Sequence, residues 1–226
     1  MSDRTRSALL RLLRNPRARV FVLSGRRRAD VEKRVGLPGV RYFGLHGSEG
    51  PGREMPQLPR HKPLQRVRRQ LVNGLTGLRG IWIENKSLIL AVHFRGAAAG
   101  VARRADATVR GVLAQFNPEL RVLAGNRVWE IIPRGLPGKG AAVRMLLGEM
   151  SPAALPIYIG DDATDESAFA VLRRGVTVCV GRRRPTKARF SLAGPPEVRR
   201  FLQKLEGVLR ETPWQTERSA KASVNE

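Results

Sequence analysis

The chain has 226 residues, 42% of them hydrophobic, and carries 42 Lys and Arg against 19 Asp and Glu, a formal net charge of +23. That length and apolar content fit one large globular domain or two small ones with a proper core. A single cysteine, Cys179, excludes a disulfide framework, and no apolar run approaches the ~18 residues of a membrane span. The N-terminus reads as an amphipathic helix and not as a signal peptide, so a cytoplasmic protein is expected. The basic residues are mostly Arg and are scattered from Arg4 to Arg218. Such a spread reads as a solvated surface in preference to a nucleic-acid interface. Two compact runs, Arg26-Arg27-Arg28 and Arg182-Arg183-Arg184, follow expected strands, where an open α/β sheet places anionic ligands.

In chain order, residues 3–14 form a helix with Leu9, Leu10, Leu12 and Leu13 on its apolar side, stopped by Asn15-Pro16. Residues 19–23 are a buried strand that ends in Ser24-Gly25-Arg26. A helix over about 28–35 stops near Gly36, and Val40 to Leu45 make the next strand. This alternation is a parallel α/β unit. The stretch 50–62, with Pro51, Pro56 and Pro59, reads as a linker. A helix at about 64–74, a hairpin of 81–84 with 88–94, a helix at about 97–115 and a second hairpin of 120–123 with 128–132 follow. That α-β-β-α-β-β segment is a self-contained small sheet with helices, inserted into the α/β unit. Trp82 and Trp129 read as part of its core. Lys139-Gly140 opens a further helix. Strand 156–159, a helix from about 165 and strand 176–180 then restore the α/β alternation. Val198, Phe201, Leu202, Leu205, Val208 and Leu209 mark a last amphipathic helix. The expected division is 1–56 and 133–211 as a core in two parts, 57–132 as the insertion and 212–226 as a disordered tail.

The chemistry concentrates in Ile157-Tyr158-Ile159-Gly160-Asp161-Asp162-Ala163-Thr164-Asp165-Glu166. Four acids within six residues after a short strand raise one another's pKa unless a cation neutralises them. Oxygen-only ligands point to a hard ion, and Mg²⁺ held by Asp161, Asp162 and Asp165 with a phosphate fits best. Ser24-Gly25-Arg26 at one strand end and Lys139 at a helix start complete a set suited to phosphate esters. The hydroxyl and loop N–H groups hold phosphate oxygens, while the lysine offsets charge at the reacting centre. Singly, Ser-Gly-Arg is an ordinary turn and Lys139 a surface lysine; together, with an insertion between them, they are specific.

These residues resemble the haloacid-dehalogenase superfamily and, within it, the trehalose-6-phosphate phosphatases. Val22-Leu23-Ser24-Gly25-Arg26 is similar to the second motif, Lys139 to the third and Gly160-Asp161-Asp162-Ala163-Thr164-Asp165-Glu166 to the fourth. His46-Gly47-Ser48-Glu49, Glu84-Asn85-Lys86 leading to His93-Phe94-Arg95, and Glu130 to Pro133 extend the likeness. The resemblance implies a Rossmann-like core with an α/β cap and Mg²⁺-dependent hydrolysis of trehalose 6-phosphate through an aspartyl-phosphate. Ser24, with Gly25 and Arg26, would bind the phosphate, and Lys139 would orient it. Asp161 would be the most direct metal ligand, with Asp162 and Asp165 direct or through water. Glu84, Lys86, His93, Arg95 and Glu130 would meet sugar hydroxyls or phosphate; as residues alone they also suit exposed hairpin positions. The implied partner is a small sugar phosphate, with a monomer expected.

The family's first motif, Asp-x-Asp-Gly-Thr, bears the nucleophile and the general acid–base, and it is absent. Asp3, Asp30 and Asp106 stand in no such context. In that fold the first-motif strand runs at the sheet's centre, between the strands expected at 19–23 and 156–159, so two unpaired central edges are expected. A start site further upstream, a decayed gene fragment and a binding or regulatory remnant all account for this. The first is favoured because Ser24, Lys139 and the acidic motif persist together. Other readings are a non-catalytic sugar-phosphate-binding protein, a basic RNA-associated protein and a sucrose-phosphate or other sugar phosphatase.

Overall fold

The computed structural model describes residues 1–52, 62–116, 118–181 and 185–211. Most of the expected linker, the run Arg182-Arg183-Arg184 and the tail 212–226 lie outside the described residues. Among the described residues no helix is long and apolar enough to cross a membrane. The described residues divide into two compact units, one within 1–20, 37–40 and 194–211, the other within 21–36 and 41–193.

In the first unit α1 (Asp3–Arg14) meets α7 (Pro195–Glu211). The Ser2 hydroxyl caps α1 by accepting from the Thr5 N–H at 3.4 Å, one of the donors every helix start leaves open. Arg11 pairs with Glu206 at 3.6 Å, and the Asn15 side-chain amide donates to the Leu209 carbonyl at 3.4 Å.

The second unit begins with β1 (Phe21–Leu23), α2 (Arg28–Val35) and β2 (Arg41–Phe43), and β1 pairs β2 in parallel with Phe21 opposite Arg41. Gly36 ends α2 at φ 55, ψ 40, a left-handed stop that glycine adopts without a Cβ penalty. Next comes an antiparallel module: α3 (Lys62–Leu75), β3 (Trp82–Asn85), β4 (Leu90–His93), α4 (Ala99–Ala114), β5 (Leu120–Gly125) and β6 (Val128–Pro133). Its sheet order is β3-β4-β6-β5, the expected two hairpins joined through β4 and β6. Leu64, Val67 and Leu71 of α3 and Ala105 and Val109 of α4 cover Leu90, Val92 and Ile131 of the sheet. Each large apolar side chain buried this way contributes roughly 1.5–3 kcal/mol.

The chain returns through α5 (Lys139–Gly148), β7 (Ile157–Gly160), α6 (Glu166–Val171), β8 (Val176–Val180) and β9 (Phe190–Leu192). These strands make a parallel sheet β7-β8-β9. Strand β9 is not anticipated from sequence. Phe190-Ser191-Leu192 is too short to show a period, and it becomes a strand by pairing with Val178–Val180. The result is the expected α/β architecture with its parallel strands in two separate sheets, β1-β2 and β7-β8-β9. Strands β1 and β7 each keep one edge without a ladder partner among the described residues. All of their residues are only half-buried. Leu23 of β1 and Tyr158 of β7 nevertheless pack on the same cluster, Val143, Ala168 and Leu172.

Candidate active site

Three groups of polar side chains collect at the C-terminal ends of the parallel strands. The first begins where β1 stops. The Ser24 N–H donates to the Phe43 carbonyl at 2.9 Å, and its hydroxyl accepts from the Arg26 N–H at 3.1 Å, which closes a tight turn. After β2 the chain turns sharply, with Leu45 at φ 46 and His46 at φ 58. The His46 N–H donates to the Ser24 carbonyl at 2.8 Å, tying the two strand ends together. Gly25 is required by close approach, because a Cβ there would meet His46 Cε1 at 2.8 Å. Glu49 completes the loop by accepting from the Arg28 N–H at 2.6 Å, at the start of α2.

The second group joins this loop to the antiparallel module. His46 Nε2 lies 2.7 Å from Glu130 Oε2, and Lys86 Nζ donates to Glu130 Oε1 at 2.7 Å and to the Gly25 carbonyl at 3.4 Å. All three side chains are buried. Burial pushes the Glu130 carboxyl up, but His46 and Lys86 outweigh it and hold the group at about 2. Glu84 and His93 adjoin this set: Glu84 Oε2 is 2.9 Å from His93 Nε2 and 3.9 Å from Lys86 Nζ. Trp82 stacks on His93 with centroids 3.7 Å apart and is 54% exposed, so it is no part of the module's core. Trp129 packs on that core and stacks on Phe94. The expectation for the two tryptophans is therefore right for one and wrong for the other. The reason is the register: Trp82 stands opposite His93 on one face of the sheet, whereas Trp129 stands opposite Val92, on the face that packs against the core.

The third group surrounds Asp165, which is 2% exposed. Its Oδ1 accepts from Lys139 Nζ at 2.7 Å and from the Tyr158 hydroxyl at 2.8 Å, while Oδ2 accepts from the Asp162 N–H at 2.8 Å. Gly160 leaves room for this carboxylate, which a Cβ would strike. Burial, then Asp165 and Asp161, push the Tyr158 phenol well above its ordinary range, so it stays a donor. Asp162 caps the turn by accepting from the Ala163 N–H at 2.6 Å. Glu166 reaches across to the Thr186 hydroxyl and the Lys187 N–H, each at 2.8 Å.

The structure thus gathers Gly25, Lys86 and Glu130 in one set, Glu84 and His93 beside it, and Lys139 with Asp165 in another. Arg26 and Arg95 are exposed and, among the described residues, make no side-chain contact of this kind. His46, which stands in one of the matching stretches, and Tyr158 are given no role in the site by strand-and-motif reading. Tyr158 is masked by its place in an apolar strand, and His46 by a loop whose geometry no local pattern reveals. Asp161 is exposed at the end of β7, and Asp162 and Asp165 are engaged as described. Among the described residues no group of three or more His, Cys, Asp or Glu side chains is gathered to hold a metal ion.

Ser24 after the parallel strand β1, the acidic turn after the parallel strand β7 and Lys139 at the start of α5, with an antiparallel module inserted between, make a haloacid-dehalogenase-like α/β fold. The family model for trehalose-phosphatase matches residues 1–196, and the chain belongs to that family. It is 36% identical over 212 residues to the trehalose-phosphate phosphatase of Mycobacterium tuberculosis, covering 87% of this chain and 54% of that protein. Against the probable trehalose-phosphate phosphatase D of Arabidopsis thaliana it is 34% identical over 206 residues, 81% of this chain and 56% of that one. The chain therefore spans about half the length of the curated relatives it matches. Among solved structures, the Candida albicans trehalose-6-phosphate phosphatase C-terminal domain superposes with a TM-score of 0.79 at 22% identity, covering 92% of this chain and 85% of that one. A trehalose-6-phosphate phosphatase related protein gives 0.73 at 23%, covering 93% and 90%. At those identities the two structures speak for the fold.

Proposed function

We propose that this chain carries the sugar-phosphate-binding and charge-stabilising parts of an enzyme that hydrolyses trehalose 6-phosphate to trehalose and phosphate. The observation that supports this best is the buried set His46, Glu130 and Lys86, which joins the antiparallel module to the Ser24-Gly25 turn. In this reading the module, residues 57–132, is the cap, and 1–56 with 133–211 make the core. Ser24 and the turn N–H groups bind phosphate, with Arg26 at the entrance. Glu84, Lys86, His93, Arg95 and Glu130 meet the sugar hydroxyls or the phosphate. The charge of Lys139, held in place by Asp165, offsets negative charge as the ester is attacked.

Attack needs a carboxylate at a strand end, and the aspartates outside the acidic turn lie on α1, α2 and α4. We place the nucleophile on a further strand that pairs with the open edges of β1 and β7. A Mg²⁺ ion would take Asp161 together with a carboxylate of that strand, with Asp162 and Asp165 adjoining. The enzyme would work in the cytoplasm as a monomer, with a small-molecule partner and no nucleic acid.

Phosphate release from trehalose 6-phosphate tests this. The 226-residue chain is expected to bind the sugar phosphate without turnover. A chain extended at its start by the in-frame upstream coding sequence is expected to turn it over. Turnover by the 226-residue chain itself, with contaminating phosphatase excluded, would overturn the placement of the nucleophile. An extended chain that neither binds nor hydrolyses the ester would overturn the function.

A further inference from the structure

Beside the groups described above lies a cavity of about 750 Å³, within the size range of small-molecule sites. Its walls include Arg121 and Leu123 of β5, Lys139 and Arg144 of α5, Thr164, and Arg173 just beyond α6. Among the described residues these walls carry four cationic side chains and no carboxylate. Lys139 is neutralised by Asp165 at 2.7 Å. Among the described residues the other three cations have no such partner. Arg121 reaches only the Leu136 carbonyl, at 3.4 Å, and its Nε is buried without a hydrogen bond.

The unsatisfied polar atoms point the same way. Four buried side-chain polar atoms lack a hydrogen-bond partner among the described residues, and three belong to this one cavity's lining: His46 Nδ1, Arg121 Nε and Thr164 Oγ1. His46 is 3% exposed, and Glu130 already occupies its other ring nitrogen. A buried polar atom left without a partner costs about 1–3 kcal/mol, so three around one space mark a place that a polar ligand fills. The first turn of α5, at Gly138 to Ala141, adds the positive end of a helix to the same wall.

We propose that Arg121, Arg144 and Arg173 form an anion subsite for a small phosphorylated ligand bearing more than one phosphate charge centre, with Thr164 and His46 bonding its remaining polar atoms. The guanidinium groups bind phosphate oxygens in a fork that lysine does not match. None of these three arginines has a part in the hydrolysis described above. The subsite can therefore fail while the phosphatase reading stands, and the reverse.

Calorimetric titration of the full chain with inorganic pyrophosphate and with inorganic phosphate, at physiological salt, reads this out. Pyrophosphate is expected to bind roughly tenfold or more tightly than phosphate, because it spans two cationic groups. The double variant R144S/R173S changes exposed side chains only and is expected to lose that advantage with an unchanged circular dichroism spectrum. The variant R68S/R69S removes the same charge from the exposed side of α3 and is expected to bind as the parent does. Equal pyrophosphate affinity in the parent and R144S/R173S would overturn the subsite. An equal loss in R68S/R69S would reduce it to the net charge of +23.

Discussion

The antiparallel module and the parallel strands of the same unit are built from comparably apolar residues, yet they bury them differently. Leu90, Ala91 and Val92 of β4 are all buried, whereas every residue of β1 and β7 stays half-exposed. The module closes because its strands pair with neighbours close in sequence, in the order β3-β4-β6-β5, and two helices roof one face. The parallel strands have β1-β2 on one side and β7-β8-β9 on the other, with no ladder joining them among the described residues. A region completed by local pairings is self-sufficient. One whose central strands come from distant parts of a chain depends on every contributor.

Polar pairs take on more of the work where apolar closure is incomplete, and this can be tested directly. The largest effect is expected from Asp165→Asn. It leaves Lys139 buried without its counter-charge and should destabilise the parallel region by about 3–5 kcal/mol. Urea unfolding followed by far-UV circular dichroism reads this, and a loss below one-third of that size would show that the pair is not needed.

Next in size is the acid sensitivity of Glu130, the carboxylate shared by the two regions. Its folded pKa of about 2 lies below the unfolded value, so its contribution is present above roughly pH 4.3 and is lost as pH falls toward 2. That contribution is on the order of 3 kcal/mol. Glu130→Gln should flatten this part of the stability–pH curve relative to the parent, and parallel curves would contradict the assignment.

A smaller difference separates two equivalent truncations. Ile131→Ala, in the closed module, should cost about 3 kcal/mol, and Ile159→Ala, on half-exposed β7, about 1 kcal/mol. Equal losses would mean that the open edge of β7 is as well covered as the module's core. The smallest effect is expected at Arg41, whose pair with Glu149 at 2.8 Å has side chains 40% and 42% exposed. Arg41→Ala should change stability by less than about 1 kcal/mol even with the ring contacts to Phe21 and Phe43.

Most elements were legible because each carries its own signal. The leucines of residues 3–14, the hairpin turns at Asn85-Lys86-Ser87 and Gly125-Asn126, and the glycine after Val35 all specify structure within one or two turns of chain. The acidic motif was legible as a cluster, because charges crowded in sequence stay crowded in space. Its division of labour was not. Nothing in the order Asp161, Asp162, Asp165 tells that the last is buried under Lys139 and Tyr158, the second caps a turn and the first remains exposed. Strand β9 was hidden for a related reason, since three residues show no period and only the neighbouring β8 makes them a strand.

By itself, then, the amino-acid sequence determined the order of most elements, the α-β-β-α-β-β module and the crowding of acids after β7, since these depend on local periodicity, turn residues and short motifs. Only the tertiary structure decided that Glu130 meets both His46, 84 positions away, and Lys86, 44 positions away. It also decided that Trp82 is exposed on an edge strand, and that three arginines from separate elements face one cavity. Those outcomes are set by register, sheet order and loop geometry, which act between residues too far apart in the chain to leave a pattern in it.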